Sequence, residues 1–74
     1  MAREPFGTRL RSLREYAGMT QERLAEEVGT DQSQLVRWER NLAEPDVAMI
    51  ERLAVALGVS AVGFLTGRPA KPST

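Results

Sequence analysis

Thr20-Gln21-Glu22-Arg23-Leu24-Ala25-Glu26-Glu27-Val28-Gly29-Thr30-Asp31-Gln32-Ser33-Gln34-Leu35-Val36-Arg37-Trp38 is the stretch that decides the fold. Apolar residues recur in it at helical spacing twice, first as Leu24, Ala25 and Val28, then as Leu35 and Trp38, with Gly29 between the two runs. Thr20 is suited to cap the first run. Asp31, followed three residues later by Gln34, resembles a capping box at the head of the second. Both helices are short, and isolated helices below ~12–15 residues are marginal in water. The pair must therefore gain its stability by docking.

Working outward, Phe6, Leu10, Leu13 and Ala17 share one helical face until Gly18 stops the run. Downstream, Pro45 marks a loop and Asp46 a cap for Val47, Ile50, Leu53, Ala54 and Leu57, which Gly58 closes. Ser60 can cap a last short helix containing Val62 and Leu65. No run alternates at period two, so strands have no support. The expected architecture is all-α, a compact bundle of five short helices over residues 6–67. An N-terminal arm (1–5) precedes it, and a disordered tail (68–74) with two prolines follows.

The composition narrows the function. Ten basic residues balance ten acidic ones in 74, so any affinity for nucleic acid must come from local arrangement rather than a large positive field. Without cysteine or histidine, the usual metal ligands and the Cys/His and Ser/His catalytic pairs are missing. No metal or cofactor is expected. Gly58 and Gly63 imitate the start of a phosphate-binding loop, but Phe64 and Leu65 stand where Lys and Ser or Thr are needed, so an enzyme is not expected. Residues 1–5 lack the apolar stretch of a signal peptide and Glu51 and Arg52 interrupt the most apolar region. The expectation is a cytoplasmic protein with no membrane partner.

Two short helices joined at Gly29 meet the demands of a helix-turn-helix, whose second helix enters the DNA major groove by its first turns. Ala25 is small where the helices would cross, and Leu35 returns to the core. Between them, Thr30 to Gln34 are all polar. Thr20-Gln21 with the following helix, Trp38-Glu39-Arg40-Asn41, Pro45, and Leu53-Ala54-Val55-Ala56-Leu57-Gly58-Val59 together resemble the lambda-repressor-like, xenobiotic-response-element family of helix-turn-helix regulators. The resemblance covers residues 6 to 66.

That resemblance implies a prokaryotic or phage DNA-binding regulator, in which a recognition helix over about 31–40 reads double-stranded DNA through Gln32, Ser33 and Arg37. It implies backbone contacts at Gln21, Gln34, Arg40, Asn41 and Arg11, and a semi-buried ion pair between Arg14 and Glu39. Asn41 stands where many members carry Gly, and Asn tolerates a left-handed backbone better than most residues. The acids Glu26 and Glu27 should lie aside from the DNA, whereas Asp31, as a cap, brings its charge near it.

Plainer roles compete at several positions. Gln32, Ser33 and Arg37 could form an ordinary solvated face. Trp38 is expected in the core with its indole N–H near the surface. Arg9 and Arg11 either touch the DNA backbone or are solvated. Ala48, Met49, Val55 and Ala56 exceed the stripe one core needs, and are either a subunit contact or covered by helices one and five. The expected function is a repressor acting as a homodimer on a palindromic operator, with dimer contacts around Val59, Val62 and Leu65 and regulation by a partner protein among the possibilities. The alternative is a protein–protein interaction module, antitoxin- or anti-repressor-like, with weak DNA binding.

Overall fold

A computed structural model describes residues 5–66. The five helices are α1 (Phe6–Tyr16), α2 (Gln21–Val28), α3 (Gln32–Glu39), α4 (Val47–Leu57) and α5 (Ala61–Thr66), and there is no strand among the described residues. Local chemistry sets the boundaries. Thr20 accepts from the Arg23 N–H at 3.0 Å, Asp31 from Gln34 at 2.8 Å, Asp46 from Met49 at 2.8 Å and the Ser60 hydroxyl from Gly63 at 2.9 Å. Each cap satisfies one of the free donors of a helix start. Pro5 heads α1 without a side-chain cap, and the missing acceptor comes from a distant residue: Asn41 Oδ1 takes the Gly7 N–H at 2.8 Å.

α1 packs on α3 and α5, α2 on α3 and α4, and α4 on α5. Leu10, Leu24, Leu35, Leu53 and Phe64 are fully enclosed, one from each helix. Burying each of them contributes about 1.5–3 kcal/mol, which is what holds eight-residue α2 and α3 helical. Phe6 stacks on Phe64 with ring centroids 5.0 Å apart.

Several side chains depart from expectation. Ala17 is exposed because α1 ends at Tyr16 and Ala17 is already its C-cap. Val47 is exposed at the first position of α4, before the helix reaches the core. In α5 the inward residue is Phe64, which the sequence reading did not single out, and Val62 is turned outward at 70% exposure. Trp38 is in the core, but its Nε1 is enclosed and has no hydrogen-bond partner among the described residues. The close approach of α1 at Gly7 covers this end of α3. The arm at 1–4 and the tail at 68–74 lie outside the described residues, as does the side chain of Leu65.

Candidate nucleic-acid interface

The turn between α2 and α3 is closed by backbone alone. Gly29, at φ 82°, and Thr30 both donate to the Ala25 carbonyl, at 3.0 and 2.9 Å. Only glycine adopts that conformation without strain. Arg52 of α4 reaches the Val28 carbonyl at 3.4 Å, adding a cation at the carbonyl end of α2. With Leu35 and Trp38 held inward, Gln32, Ser33 and Arg37 all lie exposed on α3.

Behind that face runs a connected polar chain. Arg14 donates through Nε to Glu39 Oε2 at 2.6 Å and through Nη2 to Oε1 at 3.2 Å, and its Nη1 donates to the Met19 carbonyl at 2.8 Å. Gln21 Nε2 donates to the same Glu39 Oε1 at 3.0 Å, and Gln32 Nε2 approaches Gln21 Oε1 at 3.5 Å. The first residue of α2 is thus tied to an ion pair whose side chains are only 11% and 4% exposed, and the first residue of α3 lies at the edge of that chain. Arg11, Arg14, Gln21, Val36, Glu39 and Arg40 line a hollow of about 320 Å³ between α1 and α3. Arg14 is paired with Glu39 and Arg11 with Glu15, which leaves Arg40 as the cation of this recess that no carboxylate pairs among the described residues, so the recess keeps a modest positive balance.

At the end of α3, Asn41 takes φ 61°, the left-handed region where Asn substitutes for Gly with little strain. Its Oδ1 is engaged by Gly7, so its amide nitrogen is the part left for a ligand. Gln34 is half-buried, with its N–H on Asp31. Asp31 is exposed, and the Gln34 N–H, with help from the Ser33 hydroxyl at 3.0 Å, holds its carboxyl below the ordinary value. The start of α3 therefore carries a negative charge, and the Ser33 hydroxyl gives its proton to that carboxylate. Arg11 and Arg23 form exposed i,i+4 pairs with Glu15 and Glu27. Glu26 and Glu27 border a separate hollow with α4.

Arg9 is neither solvated nor on this face. It is buried, and its Nη1 donates to the Phe64 carbonyl at 2.9 Å, a role that no local pattern announced. Of the expected dimer residues, Val59 is partly buried against its own core and Val62 is exposed. Of the α4 surplus, Met49 and Ala56 pack against the core, while Ala48 and Val55 remain exposed. Among the described residues there is no cluster of metal-ligating side chains, and no helix is long and apolar enough to cross a membrane.

The helix-turn-helix family model matches residues 10–64. The chain is 35% identical over 66 residues to YonR, an uncharacterised HTH-type transcriptional regulator derived from the SPbeta prophage in Bacillus subtilis strain 168. That match takes in 89% of this chain and 61% of the relative, so the chain spans about three-fifths of the relative's length. Among solved structures it resembles SinR of Bacillus subtilis, the master regulator for biofilm formation, in complex with DNA. The TM-score is 0.76 at 33% identity, over 81% of this chain and 97% of that one. It also resembles the P22 c2 repressor in complex with a synthetic operator, at TM-score 0.82 and 29% identity, over 88% of this chain and 98% of the other.

Proposed function

The chain belongs to the helix-turn-helix family of DNA-binding transcriptional regulators of the lambda-repressor type, and from that premise we propose that it is a sequence-specific repressor that binds a palindromic operator as a homodimer. The family is one of regulators, not an enzyme class. α3 enters the major groove, with Gln32 and Arg37 reading base edges and Ser33 accepting from an exocyclic amine. Gln pairs with adenine and Arg with guanine, each good bidentate pair giving about 1–3 kcal/mol of discrimination. Gln21, Gln34, Arg40, Asn41 and Arg11 hold the sugar–phosphate backbone and set orientation. Two copies meet through α4 and α5, with Val59, Val62 and Leu65 at the contact, and read half-sites about 34–36 Å apart. Such a protein works where the DNA is, in a prokaryotic cytoplasm.

The observation that carries this reading is the polar chain from Gln32 through Gln21 to the buried Arg14–Glu39 pair. It fixes an exposed polar helix face beside a cationic recess, as reading bases at a fixed register from the phosphates requires. The test is a selection of bound duplexes from a random pool at about 0.15 M salt, run beside the Gln32→Ala/Arg37→Ala variant. An enriched palindrome that the variant loses is expected. No enrichment by a folded protein overturns the reading in favour of a protein-interaction module.

A further inference from the structure

The opposite end of α2 carries a surface of different chemistry. Between its last turn and the outer side of α4 lies an open hollow of about 650 Å³. Val28 forms the floor, 3% exposed, and Val55 stands beside it at 81%. Glu26, Glu27 and Glu51 line the rim against a single cation, Arg52. Arg52 is turned to the Val28 carbonyl and Glu27 is shared with Arg23, while Glu26 and Glu51 have no ion pair among the described residues. An apolar centre is thus flanked by two carboxylates, Glu26 and Glu51, that no cation pairs among the described residues.

Charge decides between the possible occupants. DNA is repelled by these carboxylates. A second copy related by a two-fold axis would bring the same patch against itself and set the acids near their own counterparts, where like charges are unfavourable. A cationic partner gains from both the apolar centre and the rim. We infer that this hollow is a docking site for a basic amphipathic segment of another protein. That segment seats a large aliphatic side chain between Val28 and Val55 and sets Lys or Arg against Glu26 and Glu51. None of these residues is assigned to bases or phosphates, so the partner and the DNA are held at the same time. One helical segment buries little area, which makes the contact a weak and reversible one.

The probe is a synthetic amphipathic peptide with leucines on one face and flanking lysines, titrated into the folded chain without DNA and followed by backbone amide shifts. Saturable shifts on residues 26–29 and 51–56 are expected. They should vanish when serine replaces the leucines or glutamate the lysines. Glu26→Lys/Glu51→Lys should bind at least about tenfold more weakly, and so should Val55→Asp, an exposed position where folding is not at stake. The Gln32→Ala/Arg37→Ala variant should bind unchanged, which separates this site from the DNA-reading face. Undiminished binding by the first two variants, or shifts centred on the α1–α3 recess, overturns the inference. It fails equally if the chain alone sediments as a dimer that Val55→Asp converts to monomer, because the face would then belong to a second copy.

Discussion

The Arg14 guanidinium grips the Glu39 carboxylate with two hydrogen bonds, 2.6 and 3.2 Å long, across the contact between α1 and α3. α3 is thereby clamped to a helix outside the helix-turn-helix. The same carboxylate also receives Gln21 from α2, so three helices meet at one charged group. At 11% and 4% exposure neither side chain has enough water to replace the other, and each would be costly alone.

Arg14→Ala should therefore lower unfolding stability by about 3–5 kcal/mol, whereas Arg14→Met with Glu39→Leu should be close to neutral for folding. Arg23→Ala, which loses only an exposed i,i+4 pair, should cost no more than about 0.5 kcal/mol. Urea unfolding of the four proteins checks this. Equal losses from the two arginine variants would sink it.

This pair shows where the sequence is legible and where it stops. Helix number, caps and glycine stops could be read because they depend on neighbours within four residues, as at Thr20, Asp31 and Asp46. Arg14 and Glu39 lie 25 residues apart, and only a family resemblance brought them together. Contacts without such a guide stayed hidden: Arg9 with Phe64, 55 residues away, and Gly7 with Asn41, 34 away. Phe64 was hidden too, because a six-residue helix gives too little periodicity to choose its inward face.

Gly7→Ala tests one of those long-range contacts. Alanine favours a helix interior over glycine by about 0.8–1 kcal/mol, so local propensity alone forecasts stabilisation. A Cβ at Gly7, however, would stand 2.3 Å from the Trp38 carbonyl oxygen and 2.6 Å from that of Glu39, both backbone atoms. The expected outcome is a net loss of about 1–3 kcal/mol as α1 is pushed off α3. A weakened near-ultraviolet signal from Trp38 should accompany it. An unchanged or raised melting temperature would show that α1 can shift freely.

Asp31 should reveal itself through pH. Its carboxyl is held below the ordinary 3.8 first by the Gln34 N–H and then by the Ser33 hydroxyl. A carboxyl with a lower folded than unfolded pKa adds stability that is complete above the unfolded value and is lost as pH falls through the folded one. Asp31→Ala should thus melt below the unmodified chain by a constant margin at neutral and mildly acidic pH, with the gap closing only below 3.8. A margin that changes between about pH 5 and 7 would point to another group. Asp31→Asn keeps an acceptor for the cap while removing charge from the proposed DNA face. It should bind all duplexes more tightly without a change of preference.

Gln21, Arg37 and Arg40 separate the proposed roles on that face. Arg37→Ala should relax preference at one base pair by about 1–3 kcal/mol, and Arg40→Ala should weaken all duplexes and flatten the salt dependence by about one phosphate contact. Gln21 is neutral, so its loss releases no counterion difference and should leave the salt slope unchanged while reducing affinity for every sequence. It also borders Gln32 at 3.5 Å, and Gln21→Ala should therefore soften discrimination at the base pair that Gln32 reads. The Arg14–Glu39 bonds do not pass through Gln21, so the variant should stay folded, with a loss of about 1–3 kcal/mol for the bond that Gln21 gives to Glu39. Binding isotherms at several salt concentrations on the selected duplex and its single-base variants give all three readouts. If Gln21→Ala altered the salt slope as Arg40→Ala does, or if Arg37→Ala weakened all duplexes alike, the division into backbone and base contacts would have to be redrawn.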